Sequence, residues 1–376
     1  MRAGQALLLA TLGAALTACG SFGSSRELTP LPAFVPGARL AQDWKASLAG
    51  SPIYKFTPAV IGSDRIIVAG VDGKLERLDQ GKSVWRVELG KPLAAGVGGD
   101  DRLGVVVTQD GEAIAFDVAD GSEKWRSQVG AEVLSAPAVT GIAVVVRASD
   151  SRVFGLAPQD GHRMWTYRRP TPALSMRGDT GMLTEDNVAV TGFPGGKMVA
   201  INLANGGALW ELTVALPRGT TEIERLADVV GTPLLQDRRL CAAAFQGRLA
   251  CFDASNGNLV WSRDISSAVG IGQGTGEIFI TDETGAIHAL DGSNGASIWK
   301  QDKLAGRIPG RPLMLGKYLV VTDAEGYVTA LHVEDGSLAA RAETDGSEMS
   351  GPPTPVDEDS FVVQSVKGGV FGFTLN

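Results

Sequence analysis

The residues of this 376-residue chain whose types could do chemistry are few: three histidines, three cysteines and several glycine-rich turns. Metal binding or acid–base catalysis needs such groups to converge, and nothing in their spacing makes them do so. His162, His288 and His332 stand far apart, and none has a second ligand at metal spacing. Asp253-x-Ser255-x-Gly257 and Asp291-x-Ser293-x-Gly295 begin like calcium loops but lack the distal bidentate glutamate, so they read as turns. Gly270, Gly272, Gly274 and Gly276 open no helix, and Thr275 stands where a dinucleotide loop needs its third glycine. Gly81-Lys82-Ser83 ends like a phosphate loop, but Glu76 takes the place of its first glycine. No nucleophile–base–acid set is readable. The expectation is a chain that is not an enzyme and carries no metal and no cofactor.

The elements that hold these residues form a repeat. A glycine precedes a tryptophan by four residues at Gly81/Trp85, Gly121/Trp125, Gly161/Trp165, Gly206/Trp210, Gly257/Trp261 and Gly295/Trp299. Successive tryptophans of this set lie 40, 40, 45, 51 and 38 residues apart, and Trp44 lies 41 residues upstream of the first. A further unit keeps Gly336 but has Ala340 in the tryptophan position. Within a unit, Arg65–Ala69 is an apolar run and Asp72-Gly73 a tight turn. Lys74–Asp79 then alternates apolar and polar with the period of a half-buried strand. The turn before the third strand recurs at Gly111, Ser151, Gly196, Gly247, Gly285, Gly326 and Gly369, giving eight units. Four short antiparallel strands bury neither face alone, so such units stack around an axis. The predicted fold is all-β: an eight-bladed propeller of four-stranded antiparallel blades. The last unit ends without a tryptophan strand, so the strand around Trp44 is expected to close the eighth blade. One tryptophan per repeat at one offset reads as packing between blades rather than as a ligand platform.

The ends and the cysteines indicate compartment. Residues 1–18 read as a secretory leader with Arg2 its one charge. Leu16-Thr17-Ala18-Cys19 resembles a bacterial lipobox, which implies lipidation of Cys19 and a membrane anchor. Gly20 rather than aspartate follows, which in that class of signal implies the periplasmic face of the outer membrane. Residues 19–38 read as a flexible tether, and residues 39–376 as the propeller. The net charge of −8 becomes −9 without the leader, which argues against nucleic-acid partners. Cys241 and Cys251 flank the turn at Gln246-Gly247. Two readings stand: a disulfide, favoured by an oxidising compartment, or two free thiols acting as small core hydrophobes.

Departures from the period point to function, because insertions fall in loops. The two long intervals are consecutive. One holds Arg168–Gly178 and the next holds Leu216–Asp228, placing Leu174, Met176, Ile223 and Leu226 beside Arg177, Arg225 and Asp228. Apolar residues interleaved with arginine have the composition of a protein-binding patch.

These features together resemble the BamB family, propeller lipoproteins of the outer-membrane β-barrel assembly machinery. The Gly-x-x-x-Trp repeat is shared with quinoprotein relatives. More specific are Thr29-Pro-Leu-Pro32 ahead of Trp44, Pro172-Ala-Leu-Ser-Met-Arg-Gly178, and Thr220-Thr-Glu-Ile-Glu-Arg-Leu-Ala-Asp-Val-Val230. The resemblance implies a non-enzymatic scaffold that binds a POTRA domain of BamA within the assembly complex and assists insertion of β-barrel proteins. It also implies possible contact with unfolded outer-membrane proteins. Carried over residue by residue, the implied contacts are Leu174, Met176, Arg177, Arg225 and Asp228. Val230 departs from the family, which often has a second acid there. The other readings are a periplasmic glycan-binding propeller and a relative of quinone-dependent dehydrogenases.

Overall fold

A computed structural model describes residues 28–62, 65–178 and 180–376; the leader and Cys19 lie outside the described residues. The alternating runs pair into eight four-stranded antiparallel sheets. Blades 1 to 7 comprise residues 59–88, 98–128, 138–168, 182–213, 229–263, 271–301 and 313–343. In each, the strands follow chain order from the axis outward, and the first strands of most neighbouring blades touch around the axis. Blade 8 takes Thr354–Pro355, Ser360–Gln364 and Gly369–Leu375 from the C-terminal end and Leu40–Ser47 from the N-terminal end. Trp44 lies opposite Gly372, and Arg39 and Asn376 exchange two backbone hydrogen bonds of 2.9 Å. The orphan tryptophan strand therefore closes the ring as expected.

The tryptophans lock each blade to the next. Six of the seven indoles pack over the glycine turn of the following blade: a Cβ on Gly121 would meet the Trp85 ring at 2.9 Å, and one on Gly295 the Trp261 ring at 2.5 Å; at Gly257 the contact is Leu212 instead of Trp210. The indole N–H then donates across the blade boundary, Trp165 to Leu203 O at 2.7 Å and Trp299 to Val333 O at 2.7 Å. This geometry accounts for Ala340. Blade 8 has no turn between its third and fourth strands, because the chain ends meet there, so an indole at 340 would have no glycine to cover. Ala340 packs instead with Ala38, Leu40 and Leu375.

Two details differ from expectation, and a third closes an open alternative. The left-handed residue before the third strand is Gly73 at φ +90° and Gly111 at φ +77°, and Ser151 adopts it at φ +65°. In blades 5 and 8 it falls on Gln246 and Gly368 rather than on Gly247 and Gly369. Second, residues 29–38 are docked along blade 7 and are not a flexible tether up to residue 38. Gly37 N and Ala38 N donate to Ala339 O at 2.9 and 3.2 Å, and Phe34 packs into the apolar contact between blades 6 and 7. Burial of that aromatic and the bonds around it offset the cost of ordering the segment. Third, the cysteine alternatives resolve: Cys241 and Cys251 are direct cross-strand partners, buried in the core of blade 5 and joined by a disulfide.

Candidate functional site

The turns before the third strands and the loops between blades share one face of the ring. The inter-blade loops surround a funnel of about 790 Å³, whose lining includes Ile53, Met176, Arg177, Val269, Ile308 and Met349. Both insertions belong to this face and flank blade 4, one entering it at residues 169–181 and one leaving it at 214–228.

The second insertion is held by a reciprocal cap. Glu224 N donates to Thr221 Oγ1 at 3.2 Å, and the Glu224 carboxylate accepts from Thr220 N at 2.9 Å and Thr221 N at 3.0 Å. This is the Thr-x-x-Glu capping box, which satisfies the orphan amides at the start of a helical turn. The backbone amides of Thr221 and Thr220 lower the Glu224 carboxyl to a pKa of about 2. Arg225 N closes the turn onto Thr221 O at 3.1 Å. Gly219, at φ +117°, lets the chain enter, since a Cβ there would lie 2.4 Å from Glu224 Cβ. The result is a rigid turn that directs Ile223 (65% exposed) and Arg225 to solvent, with Leu216 (63% exposed) beside it.

The first insertion lacks a regular element and depends on its neighbour. Met176 N donates to Asp228 Oδ2 at 2.6 Å, and Gly195 N donates to Asp228 Oδ1 at 3.1 Å. Ser135 Oγ donates to Thr180 O at 3.2 Å from blade 3's side. Arg177 is exposed and pairs with Glu132. Leu174 is 42% exposed and Met176 half-buried. A recess of about 170 Å³ between the loops is lined by Arg147, Ser175, Met176, Arg177, Asp228 and Val230.

Four of the five expected contact residues thus come together at the surface of one face. The fifth is different: Asp228 is 4% exposed, lines the recess, and its carboxylate ties the second loop to the first through Met176 N. Sequence reasoning saw an acid among charges and missed that its oxygens are consumed by backbone amides. It also passed over the Thr-x-x-Glu spacing, a signal that was legible. Val230 is buried at the floor of the recess.

The other candidate chemistry is accounted for within the turns. His162 Nδ1 lies 2.7 Å from Asp160 and His288 Nε2 lies 2.8 Å from Asp282, while His332 packs on Tyr318. Asp253 and Asp291 accept from the backbone amides of Ser255 and Ser293. All seven tryptophans are buried or half-buried. Among the described residues no group of three His, Cys, Asp or Glu side chains could hold a metal.

Comparison with known proteins gives the chain's family. Residues 71–301 match a family model described as outer membrane protein assembly factor BamB. The BamB of Burkholderia pseudomallei is 38% identical over 360 residues, covering 95% of this chain and 94% of that protein. The BamB of Nitrosomonas eutropha is 41% identical over 335 residues, covering 88% and 81%. The crystal structure of BamB from Moraxella catarrhalis superposes with a TM-score of 0.82 at 26% identity, covering 89% of this chain and all of that one. The match runs through the blades and through both insertions, and the chain belongs to the BamB family of outer-membrane protein assembly factors.

Proposed function

We propose that this chain is a non-enzymatic scaffold of outer-membrane protein assembly that docks a periplasmic POTRA domain of BamA on the two loops flanking blade 4. The observation that carries the reading is the pair of insertions on one face, pre-formed by Asp228 and the Thr221–Glu224 cap. They present Leu174, Ile223, Arg177 and Arg225 outward. Rigid apolar anchors with arginines at their rim suit a protein partner, and pre-forming them removes part of the ordering cost of binding. Family membership supports the assembly role, and the lipobox at Cys19 supports attachment to the outer membrane.

The test is co-purification from envelopes in gentle detergent with the tagged, full-length protein. Recovery of BamA is expected with the native chain. The pair Arg225→Glu and Ile223→Glu is expected to lower it at least tenfold with thermal unfolding unchanged, since losing a hot spot costs about 2 kcal/mol or more and tenfold corresponds to about 1.4 kcal/mol. Undiminished recovery with both changes would remove these loops from the interface. No recovery with a folded native bait would move the function to another partner.

A further inference from the structure

Arg307 heads the largest fully buried side chains among the described residues, and it lies in the loop entering blade 7. Its Nε donates to Asp323 at 2.7 Å and one Nη to Glu325 at 2.6 Å, both in the next turn of the same blade. Its other Nη donates to the backbone carbonyl of Thr29 at 2.6 Å, a residue 278 positions away. Thr29 Oγ1 in turn donates to Ala305 O at 2.7 Å. A buried guanidinium is costly unless its donors are matched, and here the N-terminal segment supplies one of the acceptors. From Thr29 the segment crosses the outer side of blade 7. Arg341 donates to Pro32 O at 3.1 Å and its guanidinium lies 5.0 Å from the Phe34 ring centroid. The crossing ends where Gly37 N and Ala38 N meet Ala339 O, at the opposite face of the ring beside the Gly336 turn.

We propose that residues 29–38 are a strap, clamped by Arg307 and Arg341, that makes the N-terminal segment leave the ring at the loop-bearing face beside blade 7. The exit point is three blades on from blade 4, so the segment and the candidate docking loops share a face without overlapping. Combined with the reading of Cys19 as lipidated, on which this last step rests, only eight residues lie between the anchor and Leu28. The nine chain steps from Cys19 to Leu28 reach at most about 30 Å, half the span that an unbound tether to residue 38 would allow. The strap thereby holds the loop-bearing face close to the bilayer.

The test is native-state digestion of the full-length protein with chymotrypsin, following cleavage after Phe34 by mass spectrometry. The native chain is expected to resist, because local opening must precede cleavage. Arg341→Met, which uncovers no carboxylate, is expected to be cut at least tenfold faster with circular dichroism and thermal unfolding of the blades retained. Arg307→Ala is expected to behave likewise; it strands Asp323, so should it unfold blade 7 the Arg341→Met result decides. Equal rates in the native chain and Arg341→Met would overturn the strap, as would native cleavage at the rate of a free peptide of the same sequence. The mass of the released fragment reports acylation of Cys19 separately. An unmodified cysteine would remove the short leash and leave the strap standing.

Discussion

At the scale of single residues, the candidate interface divides into side chains that face solvent and side chains that hold those in place. Asp228 is of the second kind, and the two kinds respond differently to substitution. Asp228→Asn weakens two charge-assisted bonds from half-buried backbone amides to a buried carboxylate, so unfolding free energy is expected to fall by about 1.5–3 kcal/mol in urea titrations. Arg225→Glu, on the exposed face, is expected to leave that free energy within about 0.5 kcal/mol while lowering recovery of BamA. Glu224 adds a pH dependence. Its pKa is depressed from 4.5 to about 2 by the backbone amides it accepts from, so the cap's contribution is fully present above the unfolded value. It is lost as pH falls through the folded value. Amide resonances of Thr220 and Thr221, followed from pH 6 to pH 2, are expected to keep their capped shifts until the lower part of that range. In Glu224→Gln the same resonances should show no such transition. A capped signature that vanishes well above pH 4.5 would contradict the assignment.

At the scale of elements, the blade is a local unit whose cross-links are set by register. Cys241 and Cys251 face each other because the hairpin around Gln246 folds them into direct opposition. The disulfide closes a short loop, and chain-entropy reasoning gives it about 2–3 kcal/mol. Cys241→Ala is expected to lower the unfolding free energy by that amount, measured against the oxidised native protein; an equal free energy would show that the bond adds nothing to the core packing of blade 5. The tryptophan strands are the corresponding links between blades. At six of the turns the glycine is required because the indole of the previous blade lies over it; Gly257 meets Leu212 instead, and Ala340 is the departure that the chain ends explain.

At the scale of the whole molecule, the ring is closed by one strand from the opposite end of the chain. Leu40–Ser47 covers the edge of Gly369–Leu375, which otherwise would offer unpaired backbone groups for association. Removing residues up to 47 is expected to convert a monodisperse protein into oligomers or aggregate, read by light scattering. A monodisperse, fully folded truncation would show that closure is not what stabilises the ring. Closure also brings the docked N-terminal segment to blade 7, so the path of the chain into the ring and the strap are one arrangement.

Periodicity is a local property, and it was enough to determine the eight blades, the strand order within each and the closing role of the Trp44 strand. A period-2 pattern with a glycine turn specifies which face is buried wherever the strand ends up. The same reasoning located both insertions, since they are the places where the period fails. What each insertion residue does was beyond it, because that depends on partners distant in sequence. Asp228 meets the amides of Met176 and Gly195, and Arg307 meets the carbonyl of Thr29, only once the blades have been brought together. A carboxylate facing solvent and one consumed by backbone amides look identical in a sequence. Only the tertiary structure decides between them, because burial and hydrogen bonding are set by long-range packing.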